Sequence, residues 1–83
     1  MKIRYGGWLK NLIGGDAEDV VLPAGVTTVG ALLDWLSSRG ERYEKAFEHS
    51  SIFIVSVNWR YARQQDPVTN QDEVLLMPPI AGG

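Results

Sequence analysis

Apolar residues recur along this chain with three spacings, and each spacing marks a different kind of element. Ile3 and Tyr5 alternate with Lys2 and Arg4, the period of a half-buried strand, until Gly6-Gly7 interrupts the pattern before Trp8 and Leu9. A bulge or an early strand end is expected there. Leu12-Ile13 followed by Gly14-Gly15-Asp16 predicts a short helical turn closed by a loop. Glu18 to Leu22 then gives a second strand, stopped by Pro23-Ala24-Gly25 and paired with the first like a hairpin. Val29, Leu32, Leu33 and Leu36 fall at offsets 0, 3, 4 and 7, one face of a helix, with Thr28 as N-cap. Arg39-Gly40 predicts its end: a cation in the last turn and a glycine suited to the left-handed C′ position. Glu41 to Glu48 predicts a second, short helix, with Tyr43 and Phe47 inward and Glu41, Arg42, Glu44 and Lys45 in water.

Ile52 to Val57 is nearly uninterrupted, β-branched and too short for a helix, which predicts a central strand covered on both faces. Asn58-Trp59 turns the chain into a short strand through Tyr61, and a polar stretch from Gln64 to Pro67 leads to a turn at Asn70-Gln71-Asp72. Glu73 to Met77 is the last strand, with Val74 and Leu76 on one face and Leu75 and Met77 on the other. The order predicts an α+β, β-grasp domain: a mixed sheet of about five strands packed on one main helix, plus a short helix. We assign residues 1–77 to that domain and residues 78–83 to an extended C-terminal tail ending in Gly-Gly.

In the tail, Pro78 and Pro79 lack N–H groups and fix φ, so they end the ladder and favour a polyproline II course. At about 3.1 Å per residue, residues 78–83 would reach on the order of 19 Å, enough to enter another protein's active site. Glycine has no Cβ, so Gly82-Gly83 can pass through a narrow channel and leave a terminal carboxylate unshielded. Glycine-rich ends are often only frayed termini. Here the glycines follow a strand and a diproline directly, and the functional reading is preferred.

The 83 residues fit one domain with one modest core. Eight basic and ten acidic residues give a net charge of -2, which offers no footprint for nucleic acid or anionic lipid. No apolar run suits a membrane helix, and Met1 to Tyr5 lacks the apolar stretch of a signal peptide, so neither nucleic acid nor membrane is expected as a partner and a cytoplasmic location is. With no cysteine there is no disulfide, thiolate metal site or Cys nucleophile. His49, the single histidine, reads as a solvated loop residue, and no metal site is expected. No serine lies in a Gly-x-Ser-x-Gly elbow, and neither Gly6-Gly7 nor Gly14-Gly15 leads into a phosphate-binding loop. Trp35 is assigned to the core, whereas Trp8 and Trp59 stand near turns where a ring can cover the core or meet a partner. A stripe of Leu75 and Met77, joined by Tyr61 or Trp59, would make a docking surface; the alternative is a second covering element.

The run Asp72 to Gly83 (DEVLLMPPIAGG) resembles the C-terminus of the MoaD family, the small subunit of molybdopterin synthase. The likeness extends to the opening strand, to Leu22 to Val29, to Val57-Asn58 and to Asp66-Pro67-Val68. The resemblance implies a ubiquitin-like fold and a sulfur carrier that binds no cofactor itself. An activating enzyme would use ATP to adenylate Gly83, a sulfur donor would convert it to a thiocarboxylate, and the tail would enter the large subunit of a heterotetramer to pass sulfur to a pyranopterin precursor. On that reading Gly83 is the reactive residue, Gly82, Ala81, Ile80, Pro79 and Pro78 occupy the channel, and Met77, Leu75, Tyr61 and Trp59 dock the partner. The chain would be the sulfur-donating part of a sulfurtransferase, not an enzyme alone. The rival readings are a carrier for thiazole, cysteine or tRNA thiolation, and a ubiquitin-like interaction or conjugation module. The chain departs from the family's usual pattern at Gly6-Gly7, Lys10-Asn11, Asn70-Gln71 and Leu76-Met77.

Overall fold

A computed structural model describes residues 1–79 of the protein. Alternation at the N-terminus forms β1 (Lys2–Tyr5), and the chain then runs through α1 (Leu9–Ile13), β2 (Ala17–Asp19), α2 (Val29–Ser37), α3 (Glu41–Ala46), β3 (Ile54–Val57), β4 (Arg60–Ala62) and β5 (Glu73–Met77). A 3₁₀ turn at Ser50–Ile52 precedes β3. The strands form one sheet in the order β2-β1-β5-β3-β4, with β1 and β5 parallel and every other pair antiparallel.

The register follows from the alternation. Ile3 lies opposite Val74 and Tyr5 opposite Leu76, and Val55 is opposite Leu76 on the other side. All five point to the face on which α2 lies, and all are buried. The stripe Val29, Leu32, Leu33, Leu36 supplies the helix's half of that core. Thr28 caps α2 as its sequence predicts, its Oγ1 accepting the Ala31 N–H at 3.2 Å.

Three expectations are corrected. The central strand is β5, not the Ile52–Val57 run: β3 starts only at Ile54, Ile52 lies in the 3₁₀ turn, and Ile52 and Ile54 are exposed. A continuous apolar run reads alike whether its second face meets a covering layer or stays bare. Gly40 is not the C′ glycine of α2; that helix closes at Ser38 in right-handed geometry, and Gly40, at φ 142°, is the N-cap of α3. The glycine therefore serves the abrupt change of direction between two helices. Trp35 is only half buried at the core's edge, where the Arg39 guanidinium lies 5.1 Å from its ring centre and 4.7 Å from that of Tyr43. Smaller shifts occur at β2, which covers Ala17–Asp19 rather than Glu18 to Leu22, and at α1, which begins at Leu9.

One polar cluster ties the open edge of the sheet to the helical layer. Glu18 on β2 accepts hydrogen bonds from the buried Tyr5 hydroxyl, from Tyr43 at 3.3 Å, and from both terminal nitrogens of Arg39 at 2.8 and 3.3 Å. Desolvation pushes the Glu18 pKa up, but the bonds from Arg39 and Tyr5 outweigh it and hold the carboxyl below its ordinary value. Burial and the neighbouring carboxylate push the Tyr5 phenol in the opposite direction, well above its own.

Candidate functional site

Among the described residues no helix covers the outer face of the sheet, and the pleat decides what stands there. Leu75 and Met77 are on the face opposite Val74 and Leu76, as their alternation predicts. Register then places Ile54 across from Met77, and Ser56 across from Leu75 on one side and Tyr61 on the other. Met77 is 39%, Ile54 56%, Trp59 71% and Tyr61 87% exposed, while Leu75 is half buried. Ile54, Leu75, Met77 and Tyr61 thus share the outer face of β5, β3 and β4 as a mostly apolar stripe, with Ser56 between Leu75 and Tyr61 and Trp59 in the adjoining turn. Toward β1 the face turns charged, where Arg4 Nε meets a Glu73 carboxylate oxygen at 2.6 Å. Ile54 belongs to this surface and was missed in the sequence because its strand was read as covered. Strand-order knowledge would have found it.

The β3–β4 hairpin presents Trp59 by an unusual route. Asn58 and Trp59 both have positive φ, 51° and 69°, as a two-residue primed hairpin turn requires. Asparagine tolerates this; tryptophan does so only under strain. Asn58 holds the turn in place. Its amide nitrogen donates to Asp72 Oδ1 at 2.8 Å, its side-chain oxygen accepts the Glu73 N–H at 3.0 Å, and its own N–H reaches the Glu73 carbonyl at 2.8 Å.

The root of the tail lies beside this stripe. Tyr5 and Leu76 are the last parallel pair, after which the Gly6 N–H donates to the Leu76 carbonyl at 2.9 Å. Met77 crosses Gly6 so closely that a Cβ there would overlap its sulfur. Pro78 is buried, and Pro79 is exposed with its carbonyl accepting the Trp8 indole N–H at 3.1 Å. Trp8 in turn stands edge-on to Phe53 with ring centres 6.1 Å apart. Ile80, Ala81, Gly82 and Gly83, which carry the predicted channel and reactive roles, lie outside the described residues.

Elsewhere the surface offers less. Two shallow depressions of about 340 Å³ each are lined by Lys10, Asn11, Gly14, Gly15 and Asp16, and by the loops 22–27 and 68–71; neither includes a residue of the apolar stripe. Among the described residues no three His, Asp or Glu side chains gather as a metal-holding group, and no helix is long and apolar enough to cross a membrane.

A sheet whose first and last strands lie parallel at its centre, crossed by one main helix and leading into a Gly-Gly segment, defines a ubiquitin-like β-grasp protein. The sequence matches the ThiS family over residues 3–83, and the chain belongs to that family. It is 30% identical over 83 residues to the molybdopterin synthase sulfur carrier subunit of Escherichia coli, covering all of this chain and 99% of the relative. The protein of the same description from Haemophilus influenzae is 30% identical over 74 residues, 89% of this chain and 88% of its own. Among solved structures, a Pyrococcus furiosus protein described as molybdopterin converting factor, subunit 1, superposes with a TM-score of 0.76 at 26% identity over 95% of both chains. SAMP1 from Haloferax volcanii gives a TM-score of 0.74 at 25% identity over 100% of this chain and 98% of its own.

Proposed function

We propose that this protein is the sulfur carrier and small subunit of a molybdopterin synthase, working in the cytoplasm as the sulfur-donating part of a complex. The observation that carries the reading is the end-to-end likeness to the Escherichia coli sulfur carrier subunit, in a chain that has a Gly-Gly segment and whose sheet presents an exposed apolar stripe beside Pro78-Pro79.

Residues 1–77 form the docking body and residues 78–83 the delivery tail. An unactivated carboxylate cannot exchange oxygen for sulfur, because oxide is not a leaving group. In an adenylating partner, a Gly83 carboxylate oxygen attacks the α-phosphorus of ATP and expels pyrophosphate. The outer sulfur of a donor persulfide then attacks the acyl carbon and expels AMP, and a thiol reductant attacks the donor's inner sulfur, so that the thiocarboxylate leaves and a disulfide remains on the donor. Inside the large subunit, that sulfur is passed to a pyranopterin precursor, and water returns the Gly83 carboxylate. The carrier contributes no acid, base or metal, so stabilisation of the developing charge falls to the partner's pocket. Leu75, Met77, Ile54, Tyr61 and Trp59 supply the apolar contact that holds the two proteins together.

Intact-mass measurement after co-expression with an adenylating enzyme and a sulfur source tests the reading. The expected product has sulfur in place of oxygen, located in the last peptide by thiocarboxylate-selective alkylation, since oxidation of Met1 or Met77 gives a similar mass gain. A chain with one residue appended after Gly83 should gain none. A fully active adenylating system that never yields the modified tail would refute the proposal. Transfer of the sulfur to a thiazole, cysteine or tRNA acceptor instead of a pterin would move the chain to another thiolation branch, and an isopeptide bond to lysine would make it a modifier.

A further inference from the structure

The parallel pairing of β1 with β5 does not stop where the strands do. Beyond the Tyr5–Leu76 pair the two chains keep step for three more residues, with Gly6 beneath Met77, Gly7 beneath Pro78 and Trp8 against Pro79. Each of these contacts depends on a specific residue type. A Cβ at Gly6 would occupy the space of the Met77 sulfur. Gly7, at φ +55°, would place a Cβ 3.2 Å from the Pro78 ring, so glycine is favoured there both for its backbone and for the room it leaves. Pro78 and Pro79 have no N–H to continue the ladder, which leaves the Pro79 carbonyl as a backbone handle, and the Trp8 indole, a donor only, takes it.

We propose that Gly6-Gly7-Trp8 is a saddle that sets the direction in which the tail leaves the domain, with Trp8 as its positioning residue. The peptide group is planar. With Pro78 packed on Gly7 and the Pro79 oxygen held by Trp8, the direction of the Pro79 carbonyl is fixed. The indole is a firm anchor, since its ring rests on Phe53, itself buried and 5.8 Å from the Phe47 ring centre. The saddle thus transmits the rigidity of the core to the root of the tail, and a partner receives the tail already aimed instead of having to order it. This inference rests on the carrier reading for its use, though not for its existence.

The test separates the two. In the isolated wild-type protein, the Trp8 indole proton should exchange with solvent more slowly than that of the exposed Trp59, and Trp8→Phe should shift the Pro79 carbonyl ¹³C resonance. Trp8→Phe keeps an aromatic ring on Phe53 and removes only the donor. With the adenylating enzyme and ATP, followed by pyrophosphate release, it should raise KM for the carrier roughly 2- to 10-fold at unchanged kcat, the range of one neutral hydrogen bond. Trp35→Phe, distant from the saddle, should leave KM as it was. Equal exchange at the two indoles, an unmoved Pro79 carbonyl, or wild-type KM in Trp8→Phe would overturn the saddle. A wild-type chain that is never adenylated would defeat the carrier reading, while the exchange measurement would still decide whether the latch exists.

Discussion

Replacing Glu18 by Ala removes the one acceptor shared by Tyr5, Tyr43 and Arg39. The Tyr5 hydroxyl is the costly part: the residue is only 3% exposed, and a buried donor left without a partner costs about 1–3 kcal/mol. The Arg39 pair, a quarter exposed on both sides, adds roughly 0.2–1 kcal/mol after screening. Together these give a loss of about 1–4 kcal/mol. In a domain of this size each kcal/mol lowers Tm by about 4–8 °C, so a fall of at least about 5 °C is expected by circular dichroism. Tyr5→Phe, which removes the donor together with its need, should cost about 1 kcal/mol. The double variant Tyr5→Phe/Glu18→Ala should then be less damaged than the sum by about 1 kcal/mol. If Glu18→Ala melts like Glu44→Ala, an exposed control on α3, or if the two losses simply add, the cluster is not the strut its geometry implies.

The same carboxylate gives a pH signature. Its folded pKa lies below the unfolded value of ~4.3, so its contribution is complete above that value and is lost as pH falls through the folded pKa. Urea midpoints of the wild type should drop below about pH 4.3 more steeply than those of Glu18→Gln. Met77→Asp places a charge on the exposed stripe and should weaken large-subunit binding by at least about tenfold in calorimetry, with Tm nearly kept; a globally unfolded variant would assign Met77 to the core. Trp59→Gly relieves the positive φ of a bulky residue and should stabilise the isolated domain by about 1 kcal/mol while weakening the complex. A destabilised Trp59→Gly would show that the ring supports the fold instead. Leu36→Ala, at a fully buried helix position, should cost about 3–5 kcal/mol in urea unfolding.

Where a signal is local, the sequence carried it. The bounds of β5, the N-cap at Thr28, the inward stripe of α2 and the turn at Asn58-Trp59 each rest on residues within one helical turn or one hairpin of each other. What the chain could not announce was which strand lies next to which, and hence that β5 is central and that the outer face of β3 stays bare at Ile54. Gly40 was legible as a break but not as the start of α3 rather than the end of α2, since glycine suits both positions. Alternation put Leu75 and Met77 on the outer face, where they lie with Tyr61; Met77 and Tyr61 are exposed, Leu75 is half buried, and Trp59 is exposed in the adjoining turn. Trp8 carried no hint of its partner, because the carbonyl it binds is 71 residues away.

The adjacency of β1 and β5 has a consequence for how the protein is made. Lys2–Tyr5 leaves the ribosome about 70 residues ahead of its parallel neighbour Glu73–Met77. Until β5 is available the middle of the sheet stays open between β1 and β3, and closing it forms the longest-range pairing of the fold. The strand that leads into Pro78-Pro79 is thus the same strand that completes the sheet.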